Sequence, residues 1–172
     1  MTQANVGQLT AELIEPYGGV VYDPWCGSGG MFVQSHKFVE KHQGNTTAIS
    51  VVGQESNSDT WRLCKMNLAI RGISNNLGAK AASSFTEDQH TDKKVDFIMA
   101  NPPFNLKDWR DDNDLLQDPR WRGYEVPPVA NANYAWILHM LSKLDVDHGV
   151  AGFLLANGAL NADGIEGNIR QK

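Results

Sequence analysis

The stretch of sequence that decides the fold is Val20-Val21-Tyr22-Asp23-Pro24-Trp25-Cys26-Gly27-Ser28-Gly29-Gly30. The apolar run at residues 20–22 predicts a short buried strand that ends at Asp23-Pro24. Three glycines within the next positions let the backbone turn tightly and approach a ligand closely. Apolar residues at helical spacing follow over 31–42, so the amides at the start of a helix face the same turn. The pattern predicts a strand, a ligand-binding turn and a helix.

The glycine run also fits a simpler interpretation, an ordinary glycine-rich connection. It lacks the Gly-Lys-Ser/Thr of a phosphate loop and does not match the strict G-x-G-x-x-G of dinucleotide-binding folds. The carboxylate of Asp23 at its head favours a cationic or amine-bearing ligand over a pyrophosphate.

Working outward, strand and helix patterns alternate along the chain, which predicts an α/β fold with a doubly wound, mostly parallel sheet. The predicted strands cover residues 20–22, 48–53, 95–100 and 149–156. The predicted helices cover residues 7–17, 31–42, 59–72 and 134–144. Three weaker patterns predict a short strand over 79–82, a long aperiodic and functional or mobile loop over 104–131, and a loose tail over 157–172.

Two further motifs follow predicted strands. In Gly53-Gln54-Glu55, an acid at a strand end is either a solvated surface group or a carboxylate that accepts both hydroxyls of a ribose. In Ala100-Asn101-Pro102-Pro103-Phe104, the prolines make either a rigid turn or a site whose carbonyls accept from one NH2 group. An adjacent aromatic ring can stack on a base extruded from a duplex. Because open α/β sheets bind ligands at the carboxyl ends of their strands, the three motifs together favour a site.

Composition limits the class of protein. The 172 residues, 41% of them hydrophobic, fit a single globular domain over 1–172 with no membrane span or signal peptide, and we expect a cytoplasmic protein. The net charge is −5, so DNA binding would need phosphate contacts from a partner or a further segment. Two cysteines cannot build a disulfide framework or a four-cysteine zinc site, and we expect Cys64 to be a core residue. The five histidines are scattered, so no metal site is expected.

These motifs resemble the S-adenosylmethionine-dependent amino-methyltransferases of DNA, and more narrowly the modification subunit of type I restriction–modification systems. The resemblance is carried by the cofactor loop at 22–32, Gly53-Gln54-Glu55-Ser56-Asn57, the residues around Trp61 and Lys65, the tetrad Asn101-Pro102-Pro103-Phe104, and the pattern between Trp121 and Trp136. It covers nearly the whole chain. It implies a Rossmann-like methyltransferase core in which the last strands of the full sheet are missing.

The resemblance also implies roles for particular residues. Asp23 and the loop Gly27-Ser28-Gly29-Gly30 would hold the methionine end of S-adenosylmethionine, and Glu55 its ribose. Asn101 and Pro102 would bind the adenine N6 amine within the catalytic tetrad, which Pro103 and Phe104 complete, and Phe104 would stack on the flipped base. Ser83 stands where the family has an acid near the cofactor's adenine, and Thr2-Gln3 stands where it has F-x-T-P.

The implied activity is methyl transfer to the N6 amine of adenine in DNA, as the catalytic core of a complex with a DNA specificity subunit and a restriction subunit. Two alternatives stay open. One is a cofactor-binding module without activity of its own. The other is a methyltransferase of another amine: cytosine N4, RNA guanine or protein glutamine. For the charged cluster over 109–118, a solvated loop is favoured over a contact with DNA or a partner.

Overall fold

A computed structural model describes residues 3–172, with side chains from residue 5 onward. The expectation for Thr2 and the Gln3 side chain lies outside the described residues. Five helices are present in this range: α1 Gln3–Ile14, α2 Gly30–Lys41, α3 Ser58–Ile70, α4 Asn133–Lys143 and α5 Gly164–Arg170. The strands are β1 Gly19–Asp23, β2 Ile49–Gly53, β3 Asn75–Asn76, β4 Phe97–Ala100 and β5 Val150–Phe153.

The strands form one parallel sheet in the order β3-β2-β1-β4-β5. The chain runs outward from β1 through β2 to β3, and then returns to the other side of β1 for β4 and β5. This reversal places a crevice between the carboxyl ends of β1 and β4, where open α/β sheets bind ligands. The predicted doubly wound parallel fold is confirmed.

Alternation along the strands supplies two cores, one on each face of the sheet. Val21 on β1 and Met99 on β4 belong to one buried cluster, which α2 and α3 complete with Phe32 and Leu68. The next strand residues, Tyr22 and Ile98, belong to a second cluster with residues of α4. Both faces are therefore covered, as a parallel sheet requires.

The strand predicted over 79–82 is wrong, since the third strand is Asn75–Asn76. The backbone of 79–80 is bound by a side chain instead of a neighbouring strand. Gln89 Oε1 accepts from the Ala79 amide at 2.8 Å, and Gln89 Nε2 donates to the Lys80 carbonyl at 2.8 Å. These bonds occupy backbone amide and carbonyl groups that pairing with a neighbouring strand would need.

The loose tail predicted over 157–172 is also wrong. Residues Gly164–Arg170 form α5, and Ile169 is buried in the second core. The Tyr134 hydroxyl donates to the Ala159 carbonyl at 3.0 Å, which ties the segment before α5 to α4. No helix within residues 3–172 is both long and apolar enough to cross a lipid bilayer.

The charged cluster over 109–118 is solvated only in part. Asp111, Asp112 and Asp114 are exposed, as predicted, but Trp109 and Arg110 are buried. The Arg110 guanidinium donates to the backbone carbonyls of the three aspartates at 2.8–3.2 Å. The buried Arg110 guanidinium therefore holds the backbone of this acidic loop in place.

Candidate active site

The glycine loop and the Asn-Pro-Pro-Phe motif meet in one cavity of about 400 Å³ at the carboxyl edge of the sheet. Asp23 ends β1 and Asn101 directly follows β4, its neighbour in the sheet. The lining side chains and backbone come from Asp23, Trp25, Cys26, Gly27, Ser28, Gly30, Met31, Asn101, Pro102, Pro103 and Phe104. All four residues of the predicted catalytic tetrad are therefore in contact with the same space as most of the predicted cofactor loop.

The loop conformation depends on two left-handed glycines. Gly27 has a φ of 54° and Gly29 a φ of 85°, a region that other residues rarely adopt. A Cβ atom on Gly29 would also lie 2.9 Å from the Cys64 Sγ on α3. The Gly29 amide donates to the Cys26 carbonyl at 2.8 Å, and α2 begins at the next residue. The loop is thus a tight turn that leads into a helix N-terminus, as the sequence predicts.

Asp23 brings a buried carboxyl group to the cavity. It is 2% exposed, and its Oδ1 accepts from the Trp25 amide at 3.0 Å. Burial raises the pKa of Asp23 to about 7, against the lowering effect of that bond, and the nearby Glu55 carboxylate raises it further. A cationic ligand group would compensate the carboxylate that burial disfavours.

Glu55 supports the loop from the neighbouring strand. Its two carboxylate oxygens accept from the Gly27 amide at 3.1 Å and from the Asn57 amide at 2.9 Å. The side chain is 2% exposed and does not line the cavity. Each oxygen keeps a second lone pair, so the carboxylate can hold the loop and still accept from a hydroxyl.

On the opposite wall, the Asn-Pro-Pro-Phe motif combines a fixed backbone with an accessible ring. Pro102 is buried, whereas Asn101 and Pro103 are partly exposed. Phe104 is 47% exposed at the mouth of the cavity. The two prolines have no amide hydrogen and a fixed φ, so the turn offers carbonyl acceptors in a stiff geometry.

Gly29 and Ser83 do not line the cavity. The Ser83 hydroxyl accepts from the Phe85 amide at 3.2 Å, a local turn. The adjacent Ser84, which sequence reasoning missed, is buried, and its hydroxyl donates to the Pro24 carbonyl at 2.6 Å. It joins the segment after β3 to the cofactor loop, and no motif in the sequence marks it.

Arg120 is a second residue that sequence reasoning missed. Its guanidinium forms an ion pair with Asp118 at 2.6 Å and donates to the Ser84 and Phe85 carbonyls at 2.8 and 2.6 Å. It also contacts the Nδ1 of His139, whose pKa is lowered to about 3 by burial and by this cation. Arg120 thus joins the long segment over 104–131 to Ser84, which in turn binds the cofactor loop.

The two cysteines are buried thiols with their sulfur atoms 3.9 Å apart. Cys64 is fully buried in the first core, which confirms its predicted place. Among residues 3–172 no group of three or more His, Cys, Asp or Glu side chains has an arrangement suited to a metal ion.

The chain matches known proteins over nearly its whole length. The family model described as N-6 DNA Methylase matches residues 1–172. A type I restriction enzyme HindI methylase subunit of Haemophilus influenzae is 50% identical over 171 residues, which cover 99% of this chain and 38% of the relative. A type I restriction enzyme MjaIX methylase subunit of Methanocaldococcus jannaschii is 38% identical over 99% of this chain and 31% of its own length.

A solved structure is also similar. The methyltransferase subunit of a type I restriction-modification system from Streptococcus thermophilus superimposes with a TM-score of 0.82 at 25% identity, over 99% of this chain and 37% of that one. The fold is the α/β fold of methyltransferase cores. The chain belongs to the N-6 DNA methylase family. It spans less than two-fifths of the length of these relatives.

Proposed function

We propose that this chain is the catalytic core of the methylase subunit of a type I restriction–modification system. In this role it transfers a methyl group from S-adenosylmethionine to the N6 amine of adenine in DNA. One observation supports the proposal above the others: the glycine loop and the Asn-Pro-Pro-Phe motif line a single cavity at the reversal of the sheet. Family membership points to the same reaction.

The cavity suits S-adenosylmethionine on the cofactor side. Its volume of about 400 Å³ lies within the range of small-molecule sites. Asp23 presents a buried carboxyl group that would pair with the ammonium of the methionine part, and the backbone of Gly27 and Gly30 would approach its carboxylate end. Glu55 would accept from the ribose hydroxyls with the lone pairs that the loop amides leave free, which requires the cofactor to reach past the lining residues to a carboxylate that is 2% exposed. The bound cofactor supplies an electrophilic sulfonium methyl group.

The opposite wall suits a planar base with an amino group. The Asn101 side-chain carbonyl and the Pro102 backbone carbonyl would accept the two N6 hydrogens, and Phe104 would stack on the ring. These bonds direct the nitrogen lone pair toward the methyl group, so the protein accelerates the displacement mainly by alignment. As the N–C bond forms, the methyl–sulfur bond of the cofactor would break to leave a neutral thioether, and one N6 proton would pass to solvent.

The binding of DNA requires help from outside this chain. Fifteen Lys and Arg residues oppose twenty Asp and Glu residues, and extrusion of a base costs a few kcal/mol. We therefore propose that a DNA specificity subunit supplies base recognition and phosphate contacts, and that a restriction subunit joins the same complex. Such a complex would act in the cytoplasm, on the chromosome.

The test is a methyl-transfer assay on duplex DNA with the full-length subunit, alone and with its specificity subunit. Asn101→Ala should abolish transfer and leave S-adenosylmethionine affinity unchanged, because the interaction is made with the target amine. Near-normal transfer by this variant would contradict the assignment. Wild-type transfer to RNA or protein but not DNA would favour the alternative amine substrates, and cofactor binding without any transfer would favour the binding module.

A second measurement tests the cofactor side by calorimetry. Glu55→Ala should weaken S-adenosylmethionine binding by about 1–3 kcal/mol, because it leaves ribose hydroxyls and two loop amides without acceptors. Equal affinity of the variant and the wild type would exclude Glu55 from the cofactor site.

A further inference from the structure

Two asparagine side chains join the end of the Asn-Pro-Pro-Phe loop to the start of α4. The Asn105 amide donates to the Oδ1 of Asn133 at 3.0 Å, and the Nδ2 of Asn133 donates to the Oδ1 of Asn105 at 3.0 Å. The backbone donor fixes which atom of Asn133 is the oxygen, so the direction of both bonds is defined. The pair closes a ring between residues that lie 28 positions apart in the sequence.

Backbone hydrogen bonds continue this contact along both segments. The Ala132 amide donates to the Leu106 carbonyl at 2.9 Å, and the Asp108 amide donates to the Val129 carbonyl at 3.0 Å. The Asn133 amide in turn donates to the Oδ1 of Asn131 at 3.0 Å. Residues 105–108 and 129–133 therefore lie side by side where the long segment begins after β4 and ends at α4.

The asparagine pair holds the residue that directly follows the exposed ring of the site. Phe104 is 47% exposed, and the next residue, Asn105, has a left-handed φ of 53°. The direction of the Phe104 ring thus depends on how the backbone at 105 is held. Asn133 is buried on α4, whose following residues Tyr134 and Trp136 belong to the second core, so it provides a fixed anchor.

We propose that the Asn105–Asn133 pair is a positioning clamp for the target base. It fixes Phe104, and through it the turn that begins at Asn101, without itself touching base or cofactor. The inference rests on the proposed methyl transfer to an extruded base. Loss of the clamp would therefore lower kcat and base extrusion. It would leave cofactor binding by the opposite wall of the cavity unchanged.

The chemistry of the pair allows each partner to be changed without breaking it. In the pair the Asn105 side chain only accepts, so the carboxylate of Asn105→Asp still accepts from Asn133. With Asn133→Asp, the exposed Asn105 amide can turn over and donate its Nδ2 to the new carboxylate. In N105D/N133D two carboxylates face each other without a proton between them, and the clamp opens. The expected effect is therefore strongly non-additive.

A matched control adds the same charge and keeps the clamp. Asn131 serves the neighbouring turn as an acceptor through its Oδ1, so Asn131→Asp retains that bond. The double variant N105D/N131D carries the same two extra negative charges as N105D/N133D. Both double variants would repel DNA phosphates to the same extent. They differ only in whether two carboxylates face each other.

The experiment measures the kcat of methyl transfer by the full-length subunit with its specificity subunit. We expect N105D/N133D to lower kcat by about ten- to a hundredfold, since a misplacement of about 1 Å can cost that much. The two single variants and N105D/N131D should stay close to one another, and cofactor affinity should be unchanged throughout. Fluorescence of 2-aminopurine at the target position should show less base extrusion only in N105D/N133D.

Two further measurements separate positioning from folding. As pH falls, facing carboxylates can share a proton, so the kcat of N105D/N133D should recover relative to N105D/N131D. If N105D/N133D does not unfold cooperatively, Asn133→Ala replaces it, with the same selective loss of kcat expected. Equal kcat in the two double variants, or a parallel loss of cofactor affinity, would overturn the clamp. A wild-type complex without DNA methyl transfer would instead overturn the proposed function on which the clamp rests.

Discussion

The loop over residues 23–30 and the segment over residues 104–131 adjoin the same cavity but obtain their shapes in different ways. The turn of the loop is made by bonds between sequence neighbours, since the Trp25 amide binds Asp23 and the Gly29 amide binds the Cys26 carbonyl. Glu55 and Ser84 add bonds to the loop from distant positions. The segment is fixed by distant partners: Arg120 reaches Ser84 and Phe85, more than thirty positions away. Bonds between sequence neighbours correspond to motifs that can be recognised in the sequence, whereas bonds between distant residues do not.

The segment also uses a kind of interaction that is costly to break. Arg120 and Asp118 have side chains only 10% and 12% exposed, and they form a close ion pair. Removal of one partner leaves a nearly buried charge and two carbonyls without donors. The glycine loop, in contrast, depends on backbone conformation and on the absence of side chains at Gly27 and Gly29. The predictions that follow test this difference, beginning with the largest effect.

The largest effect is expected for Arg120→Met. The variant should lose about 3–5 kcal/mol of the free energy of unfolding, because Asp118 is left as an uncompensated, largely buried charge. Urea denaturation followed by tryptophan fluorescence measures the loss. The control is Arg122→Met, at an exposed position two residues away, which should stay within about 0.5 kcal/mol of the wild type. Similar values for the two variants would mean that the segment is not held by Arg120.

A smaller effect is expected for Gly29→Ala in the loop. The left-handed φ of 85° and the contact of the new Cβ with the Cys64 sulfur should together cost about 2 kcal/mol. Gly30→Ala is the matched control, since it begins α2 and a Cβ there meets nothing within 4 Å. Equal stability of the two variants in urea would show that the loop tolerates a side chain at either glycine.

The pH dependence of cofactor binding should follow Asp23. Because the pKa of Asp23 is about 7 in the free protein, the carboxyl group is protonated in acid and must lose that proton to pair with an ammonium group. Affinity for S-adenosylmethionine should rise by up to about tenfold per pH unit below 7 and level off above it. Calorimetry across pH 5.5–7.5 measures this slope. Asp23→Asn should bind weakly with little slope, and Asp59→Asn, changed at an exposed site, should keep the slope.

The smallest effect is expected for the exposed aspartates of the segment. Arg110 binds the backbone carbonyls of Asp111, Asp112 and Asp114, not their carboxylates. The triple variant D111N/D112N/D114N should therefore keep its stability within about 0.5 kcal/mol. Arg110→Met should be far less stable, because it leaves those buried bonds unmade. A large loss in the triple variant would show that the charges themselves fold the loop.

Most of the fold was predictable because its signals are local. Apolar runs at Val20–Tyr22 and around Ile98 predicted two central strands, and helical spacing over 59–72 predicted the helix now described as α3. The predictions for 79–82 and 157–172 were wrong, since Gln89 and the second core decide those regions. A single glutamine or a single buried isoleucine has no periodicity to reveal it.

The candidate site was predictable to a similar extent. The motifs at Asp23 and Asn101 were placed correctly at the carboxyl ends of β1 and β4, and the structure brings them to one cavity. The bonds from Glu55 to the Gly27 and Asn57 amides were not predictable. Nor were Ser84, Arg120 and the Asn105–Asn133 pair, since each acts on residues that are remote in sequence.

The sequence by itself therefore determined the parallel sheet, the order of its main strands and helices, and the chemical character of both walls of the cavity, but not β3 or α5. Hydrophobic spacing, glycine conformation and proline geometry act over a few residues, and they can be recognised without knowledge of the fold. Only the tertiary structure decided how those walls are held. The carboxyl of Asp23 acquires its raised pKa from burial, and the segment over 104–131 is ordered by Arg110 and Arg120. Burial and long-range hydrogen bonds depend on which distant groups come together, and this is settled only when the chain is folded.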